Sequence, residues 1–405
     1  MKENKNVAII GMGYVGLPLA LAALSSGWNV FGIEINKAKV KQLNLGVSHI
    51  EDISNEELKG GLQTGFVVTS DPHVIRQCGI AIICVPTPLI ENEPDLSALK
   101  AAVEAVAQNA KAGTLLINES TSFPSTVRDL IPSLVKEQSP DLNLLYAVAP
   151  ERVDPGNRTW SYELTPRLVS GLSGEATQKA FDFYSSFCKK VIKVSTPEVA
   201  EFAKVLENSF RQVNIALVNE LVPLAQSLGV SLIEVIEAAG TKPYGYMPFW
   251  PGVGVGGHCI PVDPIYLSWL GRSRGIESTL IEAAQKVNNA GPNRILNIIE
   301  SMELSNDSQL LQVGLSYKVG VSDLRESPSL TLFKLLQDRF KNVEWWDSSL
   351  HQWNNSKRSS LQGQYDLVVL THRCENSELE SIVRQSKNVF DLTGQFRGLS
   401  NVISI

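Results

Sequence analysis

The sequence is poor in the features that mark disulfide-rich, metal-binding and membrane proteins. Five cysteines are scattered through 405 residues, at positions 78, 84, 188, 259 and 374, and none forms a CxxC pair. Their odd number and their spacing argue against a disulfide framework and a zinc site. No run reaches the ~18 apolar residues of a membrane span, and Met1–Asn6 leads at once into a short strand-like run rather than a signal peptide. We therefore expect a cytoplasmic protein with no metal and no membrane partner.

Positive charge is not in excess either. The chain has 36 Lys and Arg residues against 42 Asp and Glu residues, a formal net charge of -6. This balance disfavours a general role on nucleic acid, while local basic pockets for a phosphate-bearing small molecule remain allowed. With 43% hydrophobic residues, the chain can bury ordinary cores, and its length suits two or three domains.

A strand, a glycine turn and a helix follow one another near the N-terminus. The apolar run Val7–Ile10 leads into GMGYVG and then into the helix-like Leu17–Leu24. The first glycine permits a tight turn, the second lets backbone approach a pyrophosphate, and the third lets helix and strand pack closely. The predicted cofactor-binding residues of this turn are Gly11, Gly13, Tyr14, Val15 and Gly16.

An acidic residue at the end of the next strand indicates which dinucleotide is bound. The strand Asn29–Glu34 ends 21 positions after Gly13. The carboxylate of Glu34 would accept hydrogen bonds from the adenosine ribose and repel a 2′-phosphate, so the pattern predicts NAD rather than NADP. The alternative is that the glycines merely turn a parallel sheet.

Three more strand-like runs are followed by polar turns. Pro86 and Thr87 follow the first run, Thr121 follows the second, and Glu151 with Arg152 follows the third. Ligands of open parallel sheets lie at the carboxyl ends of strands, so Pro86, Thr87 and Thr121 are expected to bind the cofactor, with Thr121 and Glu151 facing its nicotinamide end. Each of these two residues, taken alone, is more often a helix cap or a solvated loop residue.

A long helix is predicted from about residue 197 to 228, between a Ser-Thr-Pro-Glu start and Gly229. Lys204 and Asn208 stand at i, i+4 on its polar stripe, where two donors would hold an oxyanion. A solvent-facing pair is the alternative. The apolar length of this helix exceeds what a connector needs, which predicts a homodimer.

One thiol is presented by a loop with almost no side chains. The segment GVGVGGHCIPVDP carries Cys259 and, four residues later, Asp263. Gly256 and Gly257 would let a ligand approach the backbone, and a thiolate there would be a nucleophile. A structural cysteine in a glycine turn is the other interpretation.

The last third of the chain predicts a second α/β domain without GxGxxG. Lys318 and Arg325, in the loop between a predicted strand and a helix, are its candidate phosphate ligands. We therefore predict an α/β protein of two Rossmann-like doubly wound domains joined by a long central helix, with divisions at residues 1–196, 197–292 and 293–405.

These motifs together resemble the UDP-glucose/GDP-mannose dehydrogenase family over essentially the whole chain. The resemblance rests on GxGxxG, the Lys204/Asn208 pair, GGHCIPVDP and the SYK…DLRESPS loop. It implies an NAD-dependent nucleotide-sugar 6-dehydrogenase, with NAD bound by residues 1–196, the catalytic loop and dimer contacts in 197–292, and the UDP-sugar bound by 293–405. Arg325 is then expected on the cofactor and Lys318 on the substrate.

The resemblance also implies roles for the site residues. Cys259 would form a thiohemiacetal and then a thioester, which water hydrolyses. Lys204 and Asn208 would stabilise oxyanions, and Asp263 would act in base chemistry or hold the lysine. Thr121 and Glu151 would position water. Glu151, Arg152, Lys204, Asn208, Gly256 and Gly257 are also expected to bind the sugar.

Within the family, MPFWPG with GGHCIPVDP, and ESTSFP, look most like the UDP-N-acetylglucosamine 6-dehydrogenase branch, enzymes of polysaccharide biosynthesis. UDP-N-acetylmannosamine, UDP-N-acetylgalactosamine and UDP-glucose are the alternative substrates. One departure is Lys242, in a loop where relatives that act on UDP-glucose usually carry arginine. Tyr244 and Tyr246 are candidates for a pocket around the N-acetyl group, with a place in the core as the alternative.

Two other functions are compatible with parts of the sequence. A simple alcohol or hydroxyacid dehydrogenase needs the first domain but no thiol, and makes one NADH per turnover. A nucleotide-sugar sensor would use the same pockets without turnover. The combination of Cys259, Lys204 and Asp263 argues against the sensor.

Overall fold

The structure, a computed structural model, describes residues 5–154, 159–257, 259–373 and 376–405. His258 of the glycine-rich segment and Cys374 lie outside the described residues. The chain divides into two compact units, Met1–Glu207 and Asn208–Ile405.

The first unit is built on a large, mostly parallel sheet. Eight strands lie in the order β10-β9-β8-β7-β4-β1-β2-β3, and the β8–β9 pair is antiparallel. Two further strands, β5 and β6, form a small hairpin. The strand bounds are β1 Asn6–Ile10, β2 Asn29–Ile33, β3 Val67–Thr69, β4 Ile80–Ile83, β5 Leu89–Ile90, β6 Glu93–Pro94, β7 Leu115–Asn118, β8 Leu145–Val148, β9 Arg167–Gly171 and β10 Val191–Lys193.

Helices cover this sheet and explain its apolar central strands. Val7, Ile82 and Ile117 on β1, β4 and β7 are fully buried, as expected for parallel strands covered on both faces. The helices are α1 Gly16–Ser25, α2 Lys37–Asn44, α3 Asn55–Gln63, α4 Ser97–Asn109, α5 Ile131–Gln138 and α6 Gly174–Ser185, with a 3₁₀ helix over Pro72–Gln77 and a π-helix over Thr126–Leu130.

The predicted long helix is present as α7, Pro197–Ser227. It begins with proline, which suits a first helical position because its missing N–H would have no partner there. The chain leaves the helix through Gly229, whose φ of 67° is in the left-handed region, where glycine avoids strain. The boundary between the two units falls inside α7, between Glu207 and Asn208.

The second unit contains a parallel sheet of five strands in the order β12-β11-β15-β16-β17, together with the β13–β14 hairpin. The strands are β11 Gln309–Val313, β12 Asn342–Trp346, β13 Gln352–Trp353, β14 Ser356–Lys357, β15 Leu367–Leu370, β16 Asn388–Asp391 and β17 Val402–Ser404. The helices are α8 Leu232–Gly240, α9 Asp263–Ser273, α10 Thr279–Asn289, α11 Gly291–Glu300, α12 Pro328–Arg339 and α13 Ser377–Gln385. The predicted fold class is thus confirmed.

Within the four described ranges, no helix combines the length and the apolar character that crossing a bilayer requires.

Candidate active site

The glycine turn after β1 has the geometry predicted for it. Gly11 has a φ of 97°, and a Cβ there would lie 2.3 Å from the carbonyl oxygen of Cys84. A Cβ on Gly16 would lie 1.9 Å from the carbonyl oxygen of Gly11. Around Gly13, in contrast, a Cβ would meet nothing within 4 Å. The first and third glycines therefore serve packing, and the second leaves open space in which a pyrophosphate would fit.

Glu34 is held in place at the end of β2. Its Oε1 accepts the amide of Asn36 at 2.9 Å, and its Oε2 accepts the amide of Met12 at 3.4 Å. The side chain is only 8% exposed. Beside it, Tyr14 donates its hydroxyl to Glu51 at 2.8 Å. A carboxylate fixed in this way, next to the glycine turn, suits the ribose hydroxyls of NAD.

The segment that carries Thr121 is held by its neighbours. The amide of Glu119 donates to Ile83 at 3.0 Å, and the side-chain amide of Asn118 donates to the carbonyl of Ser120 at 3.1 Å. Ser120 also accepts the amide of Val85 at 2.9 Å. Thr121 is half-buried beyond this anchored turn, and Thr87, after β4, is buried. Pro86 is exposed.

Thr121 and Lys204 line one small cleft at this end of the sheet, together with Ser120, Ser122 and Glu201. Lys204 is 6% exposed, and its Nζ lies 3.9 Å from Oε2 of Glu151. Glu151 also accepts the amide of Val153. The structure thus brings together the predicted residues Thr121, Glu151 and Lys204.

Arg152 is engaged elsewhere. Its Nη2 lies 2.6 Å from Oε1 of Glu207, its Nε donates to the other oxygen at 3.2 Å, and its Nη1 donates to the carbonyl of Pro166 at 2.8 Å. These contacts give the guanidinium a structural role. Binding of a sugar by Arg152 stays a prediction.

A buried ion pair lies behind the turn that carries Thr121. Nη1 of Arg167 lies 3.3 Å from Oε2 of Glu119 and 3.3 Å from the carbonyl of Pro150. Tyr162 and Tyr184 donate their hydroxyls to the same carboxylate, and the Arg167 guanidinium lies 4.4 Å from the ring centre of Tyr162. Because Arg167 contacts both Glu119 and Pro150, the residue before Glu151, it fixes the turn at Glu119 relative to the turn at Glu151.

In the second unit, Cys259 differs from the other described cysteines. Cys78, Cys84 and Cys188 are buried, whereas Cys259 is partly exposed. Burial raises the pKa of Cys78 to about 12 and that of Cys188 to about 11, and it raises the pKa of Cys84 as well. A buried thiol with a raised pKa is a poor nucleophile. Of these four thiols, Cys259 is therefore the one suited to covalent chemistry.

Cys259 lies four residues before the start of α9. Its carbonyl accepts the amide of Asp263 at 2.8 Å and that of Val262 at 3.2 Å, which forms the turn that opens the helix. The N-terminus of a helix favours negative charge, and Asp263 occupies the first helical position.

Asp263 and Asn208 form a buried pair. Nδ2 of Asn208 donates to Oδ2 of Asp263 at 2.5 Å, and the two side chains are 6% and 2% exposed. The sequence predicted Asp263 as a base or as the partner of the lysine. The structure shows that it also orients the amide of Asn208.

The glycine-rich segment packs against the loop that carries Lys318 and Arg325. A Cβ on Gly256 would lie 2.8 Å from Pro328, and one on Gly257, whose φ is 83°, would lie 2.7 Å from the ring of Tyr317. The amide of Gly257 donates to the carbonyl of Arg325 at 3.2 Å. These two glycines thus let a neighbouring loop come close to the backbone, whereas the sequence predicted that substrate would do so. Their contact with substrate stays a prediction.

The remaining predicted ligands lie at the surface of the second unit. Tyr244 is 73% exposed, and Nζ of Lys242 lies 5.0 Å from its ring centre. Tyr246 is also exposed. Lys318 is half-buried, and exposed Arg325 lies 2.6 Å from Asp323. Binding of substrate or cofactor by these four residues stays a prediction.

Two residues that the sequence interpretation missed lie at the cleft or behind it. Glu201 is 2% exposed and precedes Lys204 by three residues, so the helical spacing that identified Lys204 and Asn208 also includes it. Arg167 carried no signal, because a single arginine at the start of a strand is usually exposed. As for metals, the described ranges contain no cluster of three or more His, Cys, Asp or Glu side chains suited to one.

Comparison with known proteins identifies the family. Residues 5–188 match the NAD binding domain of the UDP-glucose/GDP-mannose dehydrogenase family, and residues 198–290 match its central domain. The chain is 34% identical to UDP-N-acetyl-D-mannosamine dehydrogenase of Pyrococcus horikoshii, over 96% of this chain and 95% of the relative. It is 32% identical to UDP-N-acetyl-D-glucosamine 6-dehydrogenase of Pseudomonas aeruginosa, over 91% of this chain and 90% of the relative.

A solved structure agrees with these matches. The structure of UDP-D-ManNAc dehydrogenase from Pyrococcus horikoshii superimposes with a TM-score of 0.88 at 31% identity and covers 99% of both chains. The predicted NAD cofactor is confirmed by the match to the NAD binding domain, whose glycine turn and Glu34 fit it. The motifs, the fold and these matches agree, and the chain belongs to the UDP-glucose/GDP-mannose dehydrogenase family of NAD-dependent enzymes.

Proposed function

We propose that this enzyme oxidises the C6 hydroxyl of a UDP-N-acetylhexosamine to the carboxylate in two steps, through a thioester on Cys259. The observation that carries the proposal is the partly exposed thiol before α9, among described cysteines that are otherwise buried. A simple alcohol dehydrogenase has no use for such a thiol, whereas an enzyme that retains its aldehyde does.

The chemistry balances in three stages. Loss of the hydroxyl proton and a hydride from C6 gives the aldehyde, to which the Cys259 sulfur adds to form a thiohemiacetal. Loss of the hydroxyl proton of the thiohemiacetal and of a second hydride from C6 gives the thioester, and water then releases the acid and the thiol. NAD⁺ supplies the two hydride acceptors, so each sugar yields two NADH.

The described contacts support a role for each side chain. The amide of Asn208, oriented by Asp263, would donate to the oxyanion of the thiohemiacetal, and the ammonium of Lys204 would balance its charge. Glu151 lies 3.9 Å from Lys204 and, with Thr121, would position the hydrolytic water.

UDP-N-acetylglucosamine is the substrate that the sequence motifs favour. UDP-N-acetyl-D-mannosamine is the second candidate, because the 34% identical relative carries that name over 96% of this chain. The two sugars differ at C2, away from the reacting C6, so the chemistry is the same for both.

We propose a homodimer formed through α7. A row of large apolar side chains is exposed along one side of this helix at helical spacing, and a second copy would cover it. The exposed members are Phe202, Leu206, Phe210, Leu217 and Leu224. Light scattering that finds only monomer at working concentration would contradict this.

Two further proposals concern organisation. The division into an NAD-binding part (1–196), a central part (197–292) and a UDP-sugar-binding part (293–405) is supported by a second parallel sheet of nucleotide-binding type in the last part. A cytoplasmic location is supported by the four described cysteines, none of which takes part in a disulfide.

An NADH assay across UDP-GlcNAc, UDP-ManNAc, UDP-GalNAc, UDP-Glc and GDP-Man tests the function. We expect turnover with an N-acetylhexosamine and two NADH per sugar consumed. One NADH per sugar would indicate a simple alcohol dehydrogenase. Tight binding of a UDP-sugar without NADH formation would indicate a sensor.

A further inference from the structure

We propose that Glu201 is a positioning residue that ties α7 to the turn after Thr121, which contains Ser125 and Val127. Glu201 lies on α7, one helical turn before Lys204. The inference rests on the proposed function and adds to it a residue that touches neither sugar nor cofactor. Its carboxylate accepts two backbone amides from the turn, Ser125 at 2.7 Å and Val127 at 2.9 Å.

The turn needs an external partner of this kind. Ser125 has a φ of 84°, a left-handed conformation that a residue with a side chain adopts only where the surroundings hold it. The π-helix over Thr126–Leu130 begins directly afterwards, and the first amides of a helix lack partners within it. The acceptor comes from a different element, more than 70 residues later in the chain, so the bonds join two elements rather than cap one.

The joined elements carry the two sides of the cleft. Thr121 lies four residues before Ser125, and Lys204 lies three residues after Glu201 on the same face of α7. Thr121, Lys204 and Glu201 all line the cleft. Because α7 is rigid over one turn, fixing Glu201 against the turn fixes the distance between the lysine and the threonine.

The tie involves a buried carboxyl group, which distinguishes it from an ordinary surface contact. Glu201 is 2% exposed. Burial raises the pKa of its carboxyl to about 8, although the two amide donors favour the ionised form. Glu198, one turn earlier, offers a contrast: it is partly exposed and pairs with Arg128 at the surface.

Glu201→Gln tests the proposal, with Glu198→Gln as its matched control. Glutamine has the same size, but one of its two terminal groups donates and cannot accept an amide hydrogen. We expect amide exchange over residues 123–128 to accelerate about tenfold or more in Glu201→Gln. We also expect kcat to fall about 10- to 100-fold, since displacements of about 1 Å have such effects, while the KM for NAD⁺ stays within about twofold. Glu198→Gln should change neither.

The outcomes separate the possible failures. Unchanged exchange over residues 123–128 in Glu201→Gln would overturn the tie. Faster exchange with normal kcat would overturn the positioning role, because Glu201 would then stabilise the turn without affecting catalysis. A proportional loss of folded protein, with normal kcat per folded molecule, would do the same. A wild-type protein that oxidises no UDP-sugar would overturn the proposed function, and the exchange measurement would still decide the tie.

Discussion

Asn208 donates a 2.5 Å hydrogen bond to Asp263 across buried surroundings, so the two side chains act as one unit. Asn208→Ala removes the proposed oxyanion donor, and Asp263→Ala leaves that donor without its orienting partner. We expect each change to lower kcat by about 10²-fold or more, the usual cost of losing such a donor. The double variant should be little worse than the poorer single variant, which a double-mutant cycle measures.

Asn214, six residues later on α7, provides the control. Its side-chain amide donates to the carbonyl of Phe210 near the surface, so Asn214→Ala should leave kcat unchanged. Fully additive losses for Asn208→Ala and Asp263→Ala would mean that the two residues act separately.

Glu34 is predicted to set the preference for NAD⁺ over NADP⁺. Its carboxylate is fixed by the amides of Asn36 and Met12, and it would repel a 2′-phosphate. Glu34→Ala should weaken NAD⁺ binding and raise the ratio of kcat/KM for NADP⁺ to that for NAD⁺. We expect a rise of about tenfold or more, which corresponds to a change of about 1.4 kcal/mol in the relative binding of the two cofactors. Glu51→Ala, which removes the partner of Tyr14, should leave that ratio unchanged. Equal efficiency with both cofactors in the wild type would refute the assignment.

Removing only one partner of the Arg167–Glu119 pair should destabilise the folded protein. Arg167→Met leaves a fully buried carboxylate without its cation, and such changes lower the free energy of unfolding by about 3–5 kcal/mol. Glu119→Gln added to Arg167→Met should recover part of the loss, because it removes the unpaired charge. Arg128→Met breaks the exposed pair with Glu198 and should cost less than about 1 kcal/mol. Denaturant unfolding of all four proteins measures these differences.

Gly257 should tolerate no side chain, in contrast with Gly252. Its φ is 83°, and a Cβ would lie 2.7 Å from the Tyr317 ring, whereas a Cβ on Gly252 would meet nothing within 4 Å. We expect Gly257→Ala to destabilise the protein by about 1–3 kcal/mol through strain and overpacking. Gly252→Ala should be near neutral. If both variants melt like the wild type, the close packing of the glycine segment on Tyr317 is wrong.

Local sequence patterns predicted the fold well where hydrophobic runs were long. The strand Asn388–Asp391 and the helix α7 match their predicted bounds to within about a residue, because each has a continuous pattern and a clear stop. The three-residue strands β3, β10 and β17 were not assigned. They lie at sheet edges, and three residues are too few to show a hydrophobic period, so pairing with a neighbour defines each strand.

The site was predictable for residues in local motifs and not for those that depend on tertiary contacts. Local motifs singled out Cys259, Lys204 and Asn208, the family resemblance implied their catalytic roles, and those roles stay predictions. The contact of Arg167 with Glu119, 48 residues away, and that of Glu201 with Ser125, 76 residues away, depend on how elements pack. Likewise, nothing in the sequence showed that Gly256 and Gly257 would accommodate Tyr317 and Pro328.

Cys259→Ser is the change that decides the covalent mechanism. Serine preserves the shape of the loop, so NAD⁺ and UDP-sugar should still bind, with Kd values within a few-fold of the wild type. Turnover should fall by at least about three orders of magnitude, as when a nucleophile is removed, because serine ionises far less readily than cysteine and its ester resists water more than a thioester. Cys78→Ala, at a buried cysteine of the first unit, is the control and should retain normal turnover per folded molecule.

An ester-linked sugar on the Cys259→Ser protein would appear as added mass on the intact chain, and it would identify residue 259 as the point of attachment. A structural cysteine predicts a different pattern, in which the melting temperature and the rate fall together and no adduct forms. Two NADH per sugar at a near-normal rate from well-folded Cys259→Ser protein would exclude the thioester. The second oxidation would then have to proceed through the aldehyde hydrate, with Lys204 and Asn208 as the remaining groups to stabilise its oxyanion.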